Sequence, residues 1–246
     1  MLCERKFMKY IYASLLATFL LLTSYNNPIT GKELLDRAIA HHDPNTNWPS
    51  FNDSLTVTME SPNNAKRTSH ISIDLPESYF YVKAKKDTLI TEYTIDKEHC
   101  SIALNGNKNP SEALLKANNL SCDRANLYKN YYTYLYGLPM KLKDEGTIID
   151  DNVEHKNFKG KDYLVLKVTY DETVGKDVWF FYFDPKTYAM EIYQFYKTDE
   201  TGAIKPDSGE YILLAETAII SGIKMPKNRA WYYNKNDGYL GTDILN

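Results

Sequence analysis

Val178-Trp179-Phe180-Phe181-Tyr182-Phe183, then Asp184-Pro185-Lys186-Thr187, then Tyr188-Ala189-Met190-Glu191-Ile192-Tyr193-Gln194-Phe195-Tyr196 is the stretch on which the fold turns. Its first part is an unbroken run of β-branched and aromatic residues. Asp-Pro-Lys-Thr is turn chemistry, and the third segment returns with similar composition. The whole predicts an antiparallel hairpin. Because Val178–Phe183 is apolar at every position, that part of the sheet must be covered on both faces.

Period-two patterning continues on both sides. Leu164, Leu166, Val168 and Tyr170 alternate with Val165, Lys167 and Thr169. After a loop marked by Gly202, Pro206 and Gly209, Tyr211–Ile220 reads as a further strand, and Trp231, Tyr233 and Tyr239 fall in the last segment. Toward the N-terminus Leu55, Val57 and Met59 alternate with Thr56 and Thr58. After the turn Ser61-Pro62-Asn63-Asn64, Ile71, Ile73 and Leu75 alternate with Ser72 and Asp74. Tyr79–Ala84, Thr88–Ile95 and Cys100–Leu104 extend this meander, and Asn105-Gly106 marks its next turn.

Two segments change to helical spacing. Thr30-Gly31-Lys32-Glu33 is a capping box, and Leu34, Leu35, Ala38 and Ile39 follow it, with Pro44 as a stop; this predicts a helix over 31–42. A second helix is expected from about Asp123 to residue 136, ended by Gly137 and Pro139. Leu127, Tyr131, Tyr134, Leu135 and Leu138 would form its inner face, and Tyr128, Tyr132 and Tyr136 the opposite side. A shorter helix is expected near Glu112–Lys116. The order helix, strands, helix, strands gives an α+β domain with a single large curved antiparallel sheet and covering helices. No repeat or linker divides residues 25–246, which are expected to form one domain.

Residues 1–24 read as an export signal. Arg5, Lys6 and Lys9 precede an apolar run from Tyr10 to Leu22, which falls short of the roughly 17–25 residues a spanning helix needs. Met8 is an alternative start, and an uncleaved anchor is the second reading of the run. No Cys follows it, so a soluble, non-lipidated protein of the periplasm or cell envelope is expected. In that compartment Cys100 and Cys122 are expected to form a structural disulfide, with free buried thiols as the alternative.

Formal charge is −3, and Lys and Arg are dispersed, so nothing favours a nucleic-acid partner. Tyr is abundant, at 21 residues, which suits half-buried sheet surfaces.

Gly137-Leu138-Pro139-Met140, the Tyr182–Tyr188 hairpin, Asp207-Ser208-Gly209-Glu210-Tyr211 and Gly222-Ile223-Lys224-Met225-Pro226 resemble a family of exported, uncharacterised proteins from Bacteroidota, from about Gly31 to the end of the chain. More distantly, the order of elements is similar to the LolA/LolB/LppX group of periplasmic lipoprotein carriers. That resemblance implies an open half-barrel of antiparallel strands, helices plugging its concave side, and a cavity for acyl chains.

The residues themselves show no catalytic signature: no nucleophile elbow, zinc-protease helix, phosphate loop or dinucleotide fingerprint occurs. His41-His42-Asp43 is expected to be a solvated helix end, and Asp150-Asp151 and Asp171-Glu172 solvated turn acids. A non-catalytic protein without metal or cofactor is therefore expected. The candidate site is an apolar wall of Trp179, Phe181, Phe183, Tyr193, Phe195, Leu164, Leu166 and Val168, with Tyr131, Tyr134 and Leu135 as a helical lid. By spacing alone, the same residues read first as an ordinary core, and an apolar cavity between sheet and helix would reverse that reading. The expected ligand is a lipid, an acyl chain or another apolar molecule; the alternative is an envelope protein docked through exposed aromatics.

Overall fold

The computed structural model describes residues 28–246. The expected export segment, residues 1–24, lies outside them. Helix α1 (Gly31–His42) leads through a 3-10 turn at Trp48–Ser50 into β1 (Asn52–Glu60), β2 (Arg67–Asp74), β3 (Tyr79–Lys86), β4 (Leu89–Asp96) and β5 (His99–Leu104). Helices α2 (Glu112–Ala117) and α3 (Cys122–Gly137) follow. The remainder is β6 (Thr147–Phe158), β7 (Lys161–Tyr170), β8 (Val178–Phe183), β9 (Met190–Tyr196), β10 (Glu210–Ile220), β11 (Ile223–Tyr233) and β12 (Tyr239–Leu245).

All twelve strands join one antiparallel sheet in the order β5-β4-β3-β2-β1-β12-β11-β10-β9-β8-β7-β6. Each half is a hairpin meander, and the halves meet where β1 pairs with β12. β5 and β6 do not pair with each other, so the sheet stays open. It bends around the helices: α3 packs on β3, β4 and β5, while α1 packs on β6, β7 and β11. One hydrophobic core joins the two halves, from Phe80 and Tyr93 through Leu34 and Tyr132 to Leu166 and Phe181.

The helix ends follow from local chemistry. Thr30 Oγ1 accepts from the Glu33 amide at 3.2 Å, as a capping residue should. The expected reciprocal half of the capping box is absent: the Glu33 carboxylate turns instead to Arg37. Gly31 starts α1 because a Cβ there would lie 2.0 Å from the Asp150 carbonyl oxygen of β6. Ser121 caps α3 by accepting from the Arg124 amide at 3.1 Å.

Three further expectations are corrected. β6 reads in sequence as turn acids, yet Asp150 and Asp151 sit within an edge strand whose register shifts between Ile149 and Val153. Its side chains are mostly exposed, so no period-two apolar pattern announces it. The inner face of α3 is turned: Tyr132 and Tyr136 are buried and Leu127 is 68% exposed. His42 and Asp43 are buried rather than solvated. Asp43 accepts from the Asn47 and Trp48 amides at 2.8 Å each, closing the turn into the 3-10 segment.

The expected double cover of Val178–Phe183 holds, but among the described residues it is supplied without a second helical layer. Phe181 and Phe183 face the helices. On the other face Tyr163, Val165, Tyr182 and Ile192 form a second cluster with Phe158, Phe180 and Leu213 packed against it. Lysine stems roof this cluster, with Lys156 Nζ 5.5 Å from the Tyr182 ring and Lys159 Nζ 4.9 Å from the Tyr211 ring.

Candidate ligand-binding cleft

α3 packs most closely on β3–β5, leaving towards β7–β9 a gap that its backbone does not close and that Tyr134 crosses to Trp179 and Tyr170. A cleft of about 970 Å³ remains in that gap. Tyr131, Tyr134, Leu135 and the exposed Leu127 line it from the helix. Trp179 of β8, Phe195 of β9, Tyr170 of β7 and Trp231 of β11 line it from the sheet. The Trp179 and Phe195 rings stack with centroids 4.8 Å apart, and Tyr134 meets Trp179 edge-on at 5.7 Å. A second hollow of about 200 Å³ adjoins it, sharing Met59, Tyr131, Glu210 and Trp231.

Five of the eleven residues singled out from the sequence line the cleft: Trp179, Phe195, Tyr131, Tyr134 and Leu135. Phe181, Phe183, Tyr193, Leu164, Leu166 and Val168 are buried in the core behind this wall. The difference is position along each strand: Trp179 shares a face with Phe181 and Phe183 but stands at the strand end that opens on the cleft, facing Tyr134 of α3. The space beneath Tyr132 and Tyr136 is packed, with Tyr132 stacked on Phe80 at 6.5 Å. The cleft therefore flanks the helix instead of lying beneath it.

Polar groups meet the apolar walls in a definite pattern. The Tyr134 and Tyr170 hydroxyls are hydrogen bonded at 2.5 Å, and burial pushes Tyr170 up to about 12. Asp144, Glu145 and Asp177 lie at the β6–β8 end, and Glu210 at the shared rim. Burial raises the Asp177 and Glu210 carboxyls above the ordinary carboxylate range, with Lys197 opposing the shift. At the other end stand Arg67 and Arg124.

Sequence reasoning missed Arg67, although a signal was present. Arg67 and Ser69 fall in phase with Ile71 and Ile73, the buried positions of β2, so a charge was visibly set on the inner face. Asp243 and Arg229 are placed likewise among the buried positions of β12 and β11. Cys100 and Cys122 form the disulfide, with Cα atoms 5.9 Å apart, tying β5 to the first turn of α3. Among the described residues no cluster of three His, Cys, Asp or Glu is placed to hold a metal. Nor is any helix there long and apolar enough to cross a membrane.

Fold and cleft together define an open, twelve-stranded antiparallel sheet with an aromatic cleft beside a covering helix. The chain belongs to a family of unknown function, DUF6503, whose model matches residues 9–245. No curated protein matches it. Among solved structures it is similar to a LolA superfamily protein from Nitrosomonas europaea, at 10% identity and TM-score 0.47, covering 89% of this chain and 92% of that one. A DUF1329 family protein from Desulfovibrio piger gives 8% identity, TM-score 0.47 and the same coverage. MucB, solved in complex with MucA, gives 9% identity and TM-score 0.25 over 87% of this chain and 92% of that one.

Proposed function

We propose that this protein is an exported binding or carrier protein of the periplasm or cell envelope, holding an alkyl chain or other apolar ligand in the cleft beside α3. The aromatic cleft carries this reading. Its volume of about 970 Å³ stands at the upper end of the about 300–1,000 Å³ typical of small-molecule sites, and its walls are aromatic and aliphatic. Each methylene taken from water stabilises the complex by about 0.8 kcal/mol, so binding needs no reaction. Export is supported by the basic-then-apolar segment from Arg5 to Leu22 and by the Cys100–Cys122 disulfide, a bond that persists in oxidising compartments.

Organic extraction of the purified protein followed by mass spectrometry tests the reading. An alkyl compound near one equivalent per chain is the expected result. A protein that yields no lipid, and whose tryptophan emission is unmoved by added dodecanol, refutes it, since Trp179 and Trp231 both line the cleft. A second reading, docking of an envelope protein, has in its favour Tyr233 and Tyr239, which are exposed on either side of the β11–β12 turn.

A further inference from the structure

A row of polar side chains crosses the inner face of the sheet at the inner end of the cleft. Arg67 of β2 lies opposite Met59 of β1, Met59 opposite Asp243 of β12, and Asp243 opposite Arg229 of β11. Inward-facing charges in a core are costly unless neutralised, so their balance matters. Asp243 is the row's acid, and it is already engaged. It accepts from the Tyr131 hydroxyl at 2.8 Å and from Trp231 Nε1 at 3.3 Å.

Arg229 is fully enclosed, and although its buried Nε has no partner, both of its terminal nitrogens are engaged. It donates to the Pro226 carbonyl at 3.2 Å and to the Leu135 carbonyl at the end of α3 at 3.1 Å, with its guanidinium 3.9 Å from the Tyr136 ring. Asp243 can neutralise one arginine. One positive charge of the row remains in excess, and of its two arginines Arg67 is the one that lines the cleft.

Arg67 is also under-bonded. Its Nη1 donates to the Tyr128 hydroxyl at 3.4 Å, while its buried Nε has no partner. Its guanidinium stands 5.6 Å from the Tyr128 ring, and that of Arg124 stands 6.0 Å from the same ring. Among the described residues neither arginine forms an ion pair, although both line the cleft. Two guanidinium forks beside one aromatic ring, one partly desolvated, suit the planar or tetrahedral oxygens of a carboxylate or phosphate. At the opposite end Lys141 is paired with Asp144, and Glu145 and Asp177 leave that end net acidic and unfavourable to such a group.

We infer that the cleft takes single-chain amphiphiles with an anionic head, the head between Arg67 and Arg124 and the tail along Trp179 and Phe195. This rests on the carrier reading and adds to it a ligand class and an orientation.

Calorimetric titration of the full chain, below micelle formation, with dodecanoate, dodecyl phosphate, dodecanol, acetate and inorganic phosphate tests it. Both anionic amphiphiles should bind about tenfold or more tighter than dodecanol, as charge-assisted hydrogen bonds require, with acetate and inorganic phosphate far weaker. In Arg67→Gln and in Arg124→Gln the anion-to-alcohol ratio, taken within each variant, should fall toward one. Arg124 is exposed, so its variant remains informative if the Arg67 change unfolds the chain. Dodecanol binding as tightly as dodecanoate overturns the inference and leaves the carrier reading standing. A preference that survives both substitutions overturns the assignment to these arginines. Inorganic phosphate binding as tightly as dodecyl phosphate shows a free-anion site and overturns the amphiphile. Failure of every alkyl compound overturns inference and carrier reading together.

Discussion

His42 shows how much one side chain couples to distant backbone. Its Nδ1 donates to the Lys224 carbonyl at 2.8 Å and its Nε2 accepts from the Met190 amide at 2.9 Å, so the ring must be neutral to make both bonds. Burial pushes it down to about 4, with His41 and Lys224 adding to the shift against the raising hydrogen bond to the Lys224 carbonyl. The unfolded chain takes up its proton near 6.5, while the folded protein resists it until about 4. The contribution is thus complete above about pH 6.5 and is lost as pH falls from there to about 4, by about 1.4 kcal/mol per pH unit and on the order of 3 kcal/mol in all. Urea midpoints measured from pH 7 to pH 4 should show this slope, and His42→Gln should flatten it. Parallel profiles for the two proteins would reject the assignment. The sequence places His42 at a helix end, where solvation is the natural expectation. Its partners stand 182 and 148 residues away, and no local pattern reports them.

At the scale of the element, α3 decides where the cleft is. Tyr132 and Tyr136 anchor it, Ser121 caps it, and the disulfide pins its first residue to β5. Cys100 and Cys122 close a loop of sequence separation 22, so reduction should cost about 2–4 kcal/mol. Cys100→Ser/Cys122→Ser should lower the urea midpoint accordingly, and the same midpoint with and without reductant would contradict this. Because the bond holds the turn that carries Arg124, reduction should also weaken dodecanoate more than dodecanol. The bounds of α1 and the existence of α3 were legible from capping chemistry and apolar spacing. The inner face of α3 was not. With Tyr at 128, 131, 132, 134 and 136, apolar residues surround the helix, and only packing on β3–β5 selects a face. β6 escaped detection because an edge strand with exposed side chains lacks a buried period.

At the scale of the whole molecule, the cleft exists because one helix covers part of a sheet built from two meanders. Leu127 stands at its mouth and is largely exposed, so Leu127→Glu should change stability by less than about 0.5 kcal/mol. The same change places a charge beside the apolar ligand, and dodecanol affinity should fall several-fold. An unchanged affinity would mean that the alkyl chain lies elsewhere. Trp179→Ala would confound the two effects, because Trp179 also stacks on Phe181 at 6.0 Å.

The alternating strands, the hairpin through Asp184-Pro185-Lys186-Thr187, the helix starts and the aromatic wealth were determined by the sequence alone, since each is set by residues a few positions apart. Which aromatics stay open to a ligand was decided only by the tertiary structure. Trp179 and Phe181 share a strand face and a residue class; one lines the cleft opposite Tyr134 of α3, and the other is sealed in the core shared with α1. The buried row from Arg67 to Arg229 likewise needs β12 to enter between β1 and β11, bringing together the first strands and the last. Burial and charge balance are properties of neighbours in space, and here those neighbours come from opposite ends of the chain.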